Sequence, residues 1–290
     1  MDKNLLEIKN LRISFPSVGG PIEVVRGVSF AFGKEKIGIV GESGSGKSMT
    51  GRSLLKLNPK IAKVSADKMQ FDDIDLLAMS ERQMRSIRGK RISMILQDPK
   101  YSLNPLMRIG DQIIEAYRMH YKVSKKDAMD KTIAMLNSVH IRNPEHVVKL
   151  YPHEISGGMG QRVMIAMMLI PQPDLIIADE PTSALDVTVR RQVLTVLDEL
   201  VTRSGMGLIF ISHDLNMVAD FCDRVLVMYA GRIMEDLPAN QLNNAKHPYT
   251  RALLASLPRL DHPVDRLVVP QRDPSWINGP TFVNGVEGVY

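Results

Sequence analysis

Residues 41 to 48 read Gly-Glu-Ser-Gly-Ser-Gly-Lys-Ser. Glycines at this spacing let successive backbone N–H groups turn inward around phosphate oxygens. Lys47 supplies a mobile cation for the outer phosphates, and the Ser48 hydroxyl can ligate Mg²⁺. The setting is the one a P-loop requires: the apolar run Ile37-Gly38-Ile39-Val40 leads in, and a helical stretch from Met49 to Leu57 follows. Gly41, Glu42, Ser43, Gly44, Ser45, Gly46, Lys47, Ser48 and Met49 are therefore candidate binding residues for a nucleoside triphosphate.

A second group supplies acids. Leu175-Ile176-Ile177-Ala178-Asp179-Glu180 is an apolar run ending in two carboxylates, which is how a buried strand delivers acids to the edge of a parallel sheet. Asp179 would hold Mg²⁺, directly or through water, and Glu180 would polarise the water that attacks the γ-phosphate. Such a strand is also an ordinary boundary; the P-loop elsewhere in the chain favours chemistry. In Ile155-Ser156-Gly157-Gly158-Met159-Gly160-Gln161-Arg162 a serine and glycines open a strongly apolar helix. That is either a second anion-binding helix end or a plain N-cap, and these residues alone leave both open.

The elements that must carry these groups read as α/β. Residues 5–15 and 22–32 flank the turn from Pro16 to Pro21 and predict a hairpin, a small antiparallel β subdomain before the P-loop strand. Ser80 to Arg88 and Met107 to Val139 are rich in helix formers, with a short strand at Arg91 to Leu96 between them. Then come a helix from Ser156 to Met168, strand Leu175 to Ala178, helix Val187 to Arg203, strand Leu208 to Ile211 and helix Leu215 to Phe221. Strands alternating with helices predict a mostly parallel core sheet with covered faces. Val225 to Tyr229 and Arg232 to Asp236 flank Ala230-Gly231 as a hairpin, and Pro248 to Leu257 reads as a short helix. A nucleotide-binding domain over 1–258, with a helical subdomain at about 105–170, precedes an extension, 259–290, expected to be loosely structured.

Composition narrows the setting. A hydrophobic fraction of 44% and a charged fraction of 24% are those of an ordinary globular chain. Net charge +5 suits a polyanionic partner or simply a solvated exterior. The single cysteine, Cys222, excludes an intramolecular disulfide and any zinc or iron–sulfur site built on several thiolates, which fits a reducing compartment. No apolar run approaches the ~20 residues that cross a bilayer, so work at a membrane is expected through a partner. Met159, Met164, Met167 and Met168 are read as flexible core fillers rather than soft-metal ligands.

Taken together the motifs resemble an ATP-binding cassette subunit. Ser156-Gly157-Gly158-x-x-Gln161 is similar to that family's signature and lies just upstream of the Asp179-Glu180 strand. Gln97 resembles the Q-loop glutamine, Ser183-Ala184-Leu185-Asp186 the D-loop, and His213 in Ile211-Ser212-His213-Asp214 the switch histidine. The resemblance runs from about Leu5 to Leu257. It implies ATP and Mg²⁺ as cofactors and a dimer in which Ser156, Gly157, Gly158 and Gln161 serve the partner's nucleotide. It also implies that Ser48, Gln97 and Asp179 hold the metal, and that Glu180, His213 and Gln97 act on the attacking water. Phe15 is the candidate for stacking on adenine, with core packing as its competing role. Ile155 stands where leucine is commoner, and Gly160 where a larger residue is frequent; neither change removes a phosphate ligand.

Three further segments resemble the dipeptide, oligopeptide and nickel importer branch: Gln97-Asp98-Pro99-x-x-Ser102-Leu103-Asn104-Pro105, Ser183 to Val189, and His247-Pro248-Tyr249-Thr250-Arg251-Ala252-Leu253-Leu254. The resemblance implies an ATPase at the cytoplasmic face of the inner membrane, beneath two permease subunits, fed by an extracytoplasmic binding protein. Its second ATPase would be a different gene product, and nucleic acid is not expected as a partner. The cargo stays open between peptides, a nickel chelate and an opine-like solute. Arg259 to Tyr290 contains no cysteine, so the cluster-bearing extension of some members is not expected here.

Overall fold

The computed structural model describes residues 4–97, 102–183, 185–256 and 273–288. The chain divides into two compact units: residues 1–79 with 210–290, and residues 80–209.

In the first unit, β1 (Leu6–Phe15) and β2 (Ile22–Phe32) form the expected antiparallel hairpin. Leu6 and Ile8 face the core at even positions and Leu11 and Ile13 at odd ones, all nearly fully buried. A bulge reconciles the two sets: the register slips between Ile8 and Leu11, and Asn10 takes φ 51. The inserted residue restores the inward face after the parity change. Beyond the hairpin the sheet holds β4 (Lys63–Ser65), β5 (Lys68–Phe71) and β6 (Ile74–Asp75), in the order β2-β1-β5-β6 with β4 also on β1.

The P-loop strand β3 (Lys36–Val40) is buried from Ile37 onward and pairs in parallel with β10 (Arg224–Tyr229). The following β11 (Arg232–Pro238) returns antiparallel to β10. Helix α1 (Lys47–Ser53) follows the loop. Helix α8 (Leu215–Phe221) lies so close to β3 that a Cβ on Gly38 would sit 2.1 Å from Val218 Cγ1 and 3.2 Å from Cys222 Sγ. Cys222 is a buried packing residue, and its thiol is pushed well above the ordinary range by that burial.

The expectation of a loosely structured extension fails for residues 273–288. They form a 3₁₀ turn (Pro274–Ile277) and a hairpin, β12 (Thr281–Val283) with β13 (Val286–Gly288), and β12 joins β11 in parallel. The physical reason is long-range anchoring: Arg26 donates to Ile277 O at 2.9 Å, and Arg232 to Ile277 O at 3.0 Å and Gly279 O at 3.2 Å. Helix α9 (Pro248–Ala255) precedes this segment, and residues 257–272 lie outside the described residues.

The second unit starts with α2 (Glu81–Met84), closed at its front by a Ser80/Gln83 capping box. Strand β7 (Ile92–Ile95) pairs in parallel with β8 (Leu175–Asp179), and both are buried along their whole length, as a strand covered on two faces must be. The predicted helical stretch resolves into α3 (Ile109–Arg118), α4 (Lys125–Ser138), α5 (Pro144–Val147) and α6 (Gly157–Leu169). Helix α7 (Val187–Ser204) begins on Asp186, which accepts from Thr188 N and Val189 N, and ends on Gly205 at φ 60. Val163, Met164, Ile165, Ala166, Val193 and Leu197 are fully buried, each large aliphatic side chain contributing about 1.5–3 kcal/mol. Strand β9 (Gly207–Ser212) begins in this unit and ends in the first.

Candidate functional site: a phosphate loop and an acid turn

The P-loop belongs to the first unit. Two of its glycines are required by close approach and backbone sign together. Gly41 has φ 150, and a Cβ there would sit 2.1 Å from the Met228 carbonyl. Gly46 has φ 99, and its Cβ would meet Val24 O at 2.7 Å. The loop is thus pressed against β2 and β10 with no room for a side chain at either point. Gly231, in the turn between β10 and β11, donates its N–H to Ser45 O at 3.1 Å.

The loop's polar groups fit a triphosphate. Lys47 is buried, and its ammonium donates to Gly41 O at 2.8 Å and Glu42 O at 2.9 Å, folded over the loop it serves. Ser45 Oγ is buried with no hydrogen-bond partner among the described residues. A buried hydroxyl left in that state carries a desolvation cost that a phosphate oxygen would remove. Ser48 and Met49 are half-buried on the first turn of α1, and Ser43 and Gly44 are exposed.

Two further candidates share this unit. Phe15 is the last residue of β1, half-buried and opposite Ile22. His213 is exposed immediately after β9, and the next residue, Asp214, caps α8 by accepting from Met217 N at 3.0 Å.

The second unit holds the acids. Asp179 ends β8 and is 4% exposed. Glu180 follows at φ 48, a left-handed conformation that costs a non-glycine residue about 1–2 kcal/mol and is a mark of functional turns. The turn is held from several sides. Gln97, exposed just after β7, donates to Glu180 Oε2 at 3.4 Å, and the Ser183 hydroxyl donates to Glu180 O at 3.2 Å. The structure therefore brings together the glutamine and the glutamate that sequence motifs picked out separately. Asp98 and Pro99 beside Gln97, and Ala184 in the D-loop, lie outside the described residues.

The signature segment opens α6. Ser156 caps the helix by accepting from Met159 N at 3.3 Å, and both it and Gly157 are exposed. Gly158 is needed for packing: a Cβ would lie 2.5 Å from Val189 Cγ1 on α7. Gln161, which the motif resemblance assigns to a partner's nucleotide, is 1% exposed, and its side-chain amide donates to the Pro181 carbonyl, fastening α6 to the turn carrying Glu180.

A tyrosine that the sequence marked only as part of a branch motif reaches the P-loop. Glu42 N–H donates to the Tyr249 hydroxyl at 3.3 Å, and Tyr249 is fully buried. Beside it, the buried Glu235 carboxylate accepts from Lys246 N at 2.6 Å and His247 N at 3.2 Å. His247 Nδ1 accepts from Tyr249 N at 3.0 Å. Burial, and then the nearby charge of Arg232, push the His247 pKa down to about 4, so the ring is neutral at pH 7.

Comparison with known proteins identifies the family. The profile of the ABC transporter family matches residues 25–183. The dipeptide transport ATP-binding protein DppD of Bacillus subtilis (strain 168) is 47% identical over 262 residues, 89% of this chain and 78% of that protein. The oligopeptide transport ATP-binding protein OppD of Salmonella typhimurium is 43% identical over 279 residues, 95% of this chain and 83% of that protein. Among solved structures, the dimeric ATP-binding cassette MJ0796, in a post-hydrolysis state with ADP and Pi, superposes with TM-score 0.72 at 23% identity, covering 81% of this chain and 99% of that one. That likeness establishes the fold, and no helix among the described residues is long and apolar enough to cross a membrane. With a family profile over more than half its length and relatives at this identity over most of it, the chain belongs to the ABC transporter family as an ATP-binding subunit.

Proposed function

We propose that this chain is the ATP-hydrolysing subunit of an importer for peptides or a related small solute. The observation that carries the reading is near-full-length similarity, at 43–47% identity, to subunits named for dipeptide and oligopeptide transport. The glutathione import protein GsiA of Shigella dysenteriae, 45% identical, extends the same cargo chemistry to a small peptide.

In this reading the loop from Gly41 to Met49 binds the ATP phosphates and Phe15 stacks on the base. Ser48, Asp179 and Gln97 are the residues that would hold Mg²⁺. Among the described residues no cluster of three His, Cys, Asp or Glu could hold a metal. The cation would therefore rest on hydroxyl, amide and carboxylate oxygens with phosphate and water, a donor set that suits hard Mg²⁺. When bound it neutralises phosphate charge. Glu180 orients and deprotonates the attacking water, Gln97 holds Glu180 in place, and His213 contacts the γ-phosphate. Ser156, Gly157 and Gly158 meet the nucleotide held by a second ATPase, a different gene product. The assembly sits at the cytoplasmic face of the inner membrane under two permeases, with an extracytoplasmic binding protein delivering cargo.

The test is reconstitution of the chain with its co-purifying membrane subunits in proteoliposomes, followed by ATP turnover with peptide-loaded and empty binding protein. Stimulation by the peptide-loaded form is the expected result. Turnover indifferent to loaded binding protein, or co-purification with ribosomes or DNA in place of permeases, would overturn the transport reading.

A further inference from the structure

The segment 273–288 has no part in the chemistry above, yet it is built into the unit that carries the P-loop. Trp276 packs edge-on to Tyr229, with ring centroids 6.1 Å apart, and lies 5.9 Å from Tyr249. Tyr229 and Tyr249 are in contact at 4.4 Å. Arg26 ties the two sides together, donating to Ala230 O at 2.8 Å and to Ile277 O at 2.9 Å. The three rings thus form one cluster, each in contact with the other two. Its inner member, Tyr249, touches the P-loop backbone, and its outer member, Trp276, comes from the C-terminal segment.

The peptide between Gly41 and Glu42 is held on both sides. Its N–H, that of Glu42, donates to Tyr249 at 3.3 Å, and its carbonyl, that of Gly41, accepts from Lys47 Nζ at 2.8 Å. When Lys47 turns to a phosphate, the carbonyl loses that bond, and a bond from a charged donor is about twice as strong as a neutral one. The N–H bond to Tyr249 then still restrains this peptide, and with it the direction of the loop's first turn.

We infer that Tyr249 is a positioning residue for the nucleotide site and that residues 273–288 are the strut that holds it. The cluster of Trp276, Tyr229 and Tyr249 fixes the Gly41–Glu42 peptide while Lys47 engages phosphate. The inference rests on the P-loop being the ATP site, as proposed above.

The experiment uses the full chain and reads ATP affinity by calorimetry, ATP turnover, and the emission of Trp276, the chain's one tryptophan. Tyr249→Phe removes the hydroxyl and leaves the ring; Trp276→Leu alters the strut without touching the loop. Both are expected to weaken ATP binding, Tyr249→Phe by about tenfold as a part-buried N–H loses its acceptor, and Trp276→Leu less. At saturating ATP, kcat is expected to stay within about twofold, the split that a positioning role predicts. In the unsubstituted chain ATP is expected to shift Trp276 emission, and Tyr249→Phe to shrink that shift. Unaltered affinity in both variants, or emission indifferent to ATP that calorimetry shows to be bound, would overturn the inference and leave the P-loop assignment standing. Absence of any calorimetric binding by the unsubstituted chain would overturn both.

Discussion

The P-loop and the acid turn are held by different kinds of contact. The P-loop is braced by residues remote in sequence: Met228 and Val24 crowd its glycines, Gly231 bonds Ser45, and Tyr249 bonds Glu42. Its shape is set before ligand arrives, apart from the Lys47 ammonium, which has long, rotatable reach. The turn at Glu180 is held by Gln161 under Pro181, by Ser183 at one bond's distance, and by a long bond from an exposed Gln97. Its glutamate sits in an unfavourable backbone region. A rigid cradle suits a group that must bind; a strained backbone turn suits a side chain that must change partners during a cycle.

The sharpest way to break this comparison is to ask each region for one function only. Glu180→Gln should lower ATP turnover by about a hundredfold or more while ATP affinity stays close to that of the unsubstituted chain. Equal losses in turnover and calorimetric affinity would mean that the acid turn shapes binding too. Lys47→Ala should do the reverse, weakening affinity by about ten- to a hundredfold, as expected for a lost bond from a charged donor.

The His247 region tests the bracing itself. Its ring is neutral when folded, with a pKa near 4 against an ordinary 6.5, so as pH falls the unfolded chain takes up the proton first. Its contribution is fully present above pH 6.5 and is lost between 6.5 and about 4, roughly 3 kcal/mol at the acid end. Denaturation midpoints at pH 7 and pH 5 should differ less in His247→Asn, whose side-chain oxygen can still cap α9. Gly41→Ala drives a methyl into the Met228 carbonyl and should destabilise the first unit by about 1–3 kcal/mol, read from the same transitions. The smallest effect is expected from Gln97→Ala, which removes one exposed bond to Glu180. Its turnover should fall about two- to tenfold with no change in ATP affinity.

What was legible in the sequence is what is local. The P-loop, β8 with its terminal acids and α7 with its Asp186 cap are contiguous patterns, and each formed within a residue or two of where its period predicted. Strands β4, β5 and β6 were missed because they are two to four residues long and too short to establish a period. The order in 273–288 was missed for a different reason. Its glycines and prolines read as slack, and what fixes it is Arg26, Tyr229, Arg232 and Tyr249, none of them neighbours in sequence. The bond from Gln161 to the Pro181 carbonyl spans 20 residues, so the motif around Gln161 carries no sign of it.

The parallel pairing of β3 with β10 also sets a timetable for synthesis. Lys36 N–H bonds the side chain of Asp223, 187 residues later, and Ile37 lies opposite Arg224. At about 5–20 residues per second, the P-loop strand waits on the order of 10–40 s after its own translation for the strand that completes its edge. Residues 80–209 emerge within that interval and form a compact unit of their own. On a ribosome the acid turn can therefore mature before the phosphate loop, although the loop is nearer the N-terminus.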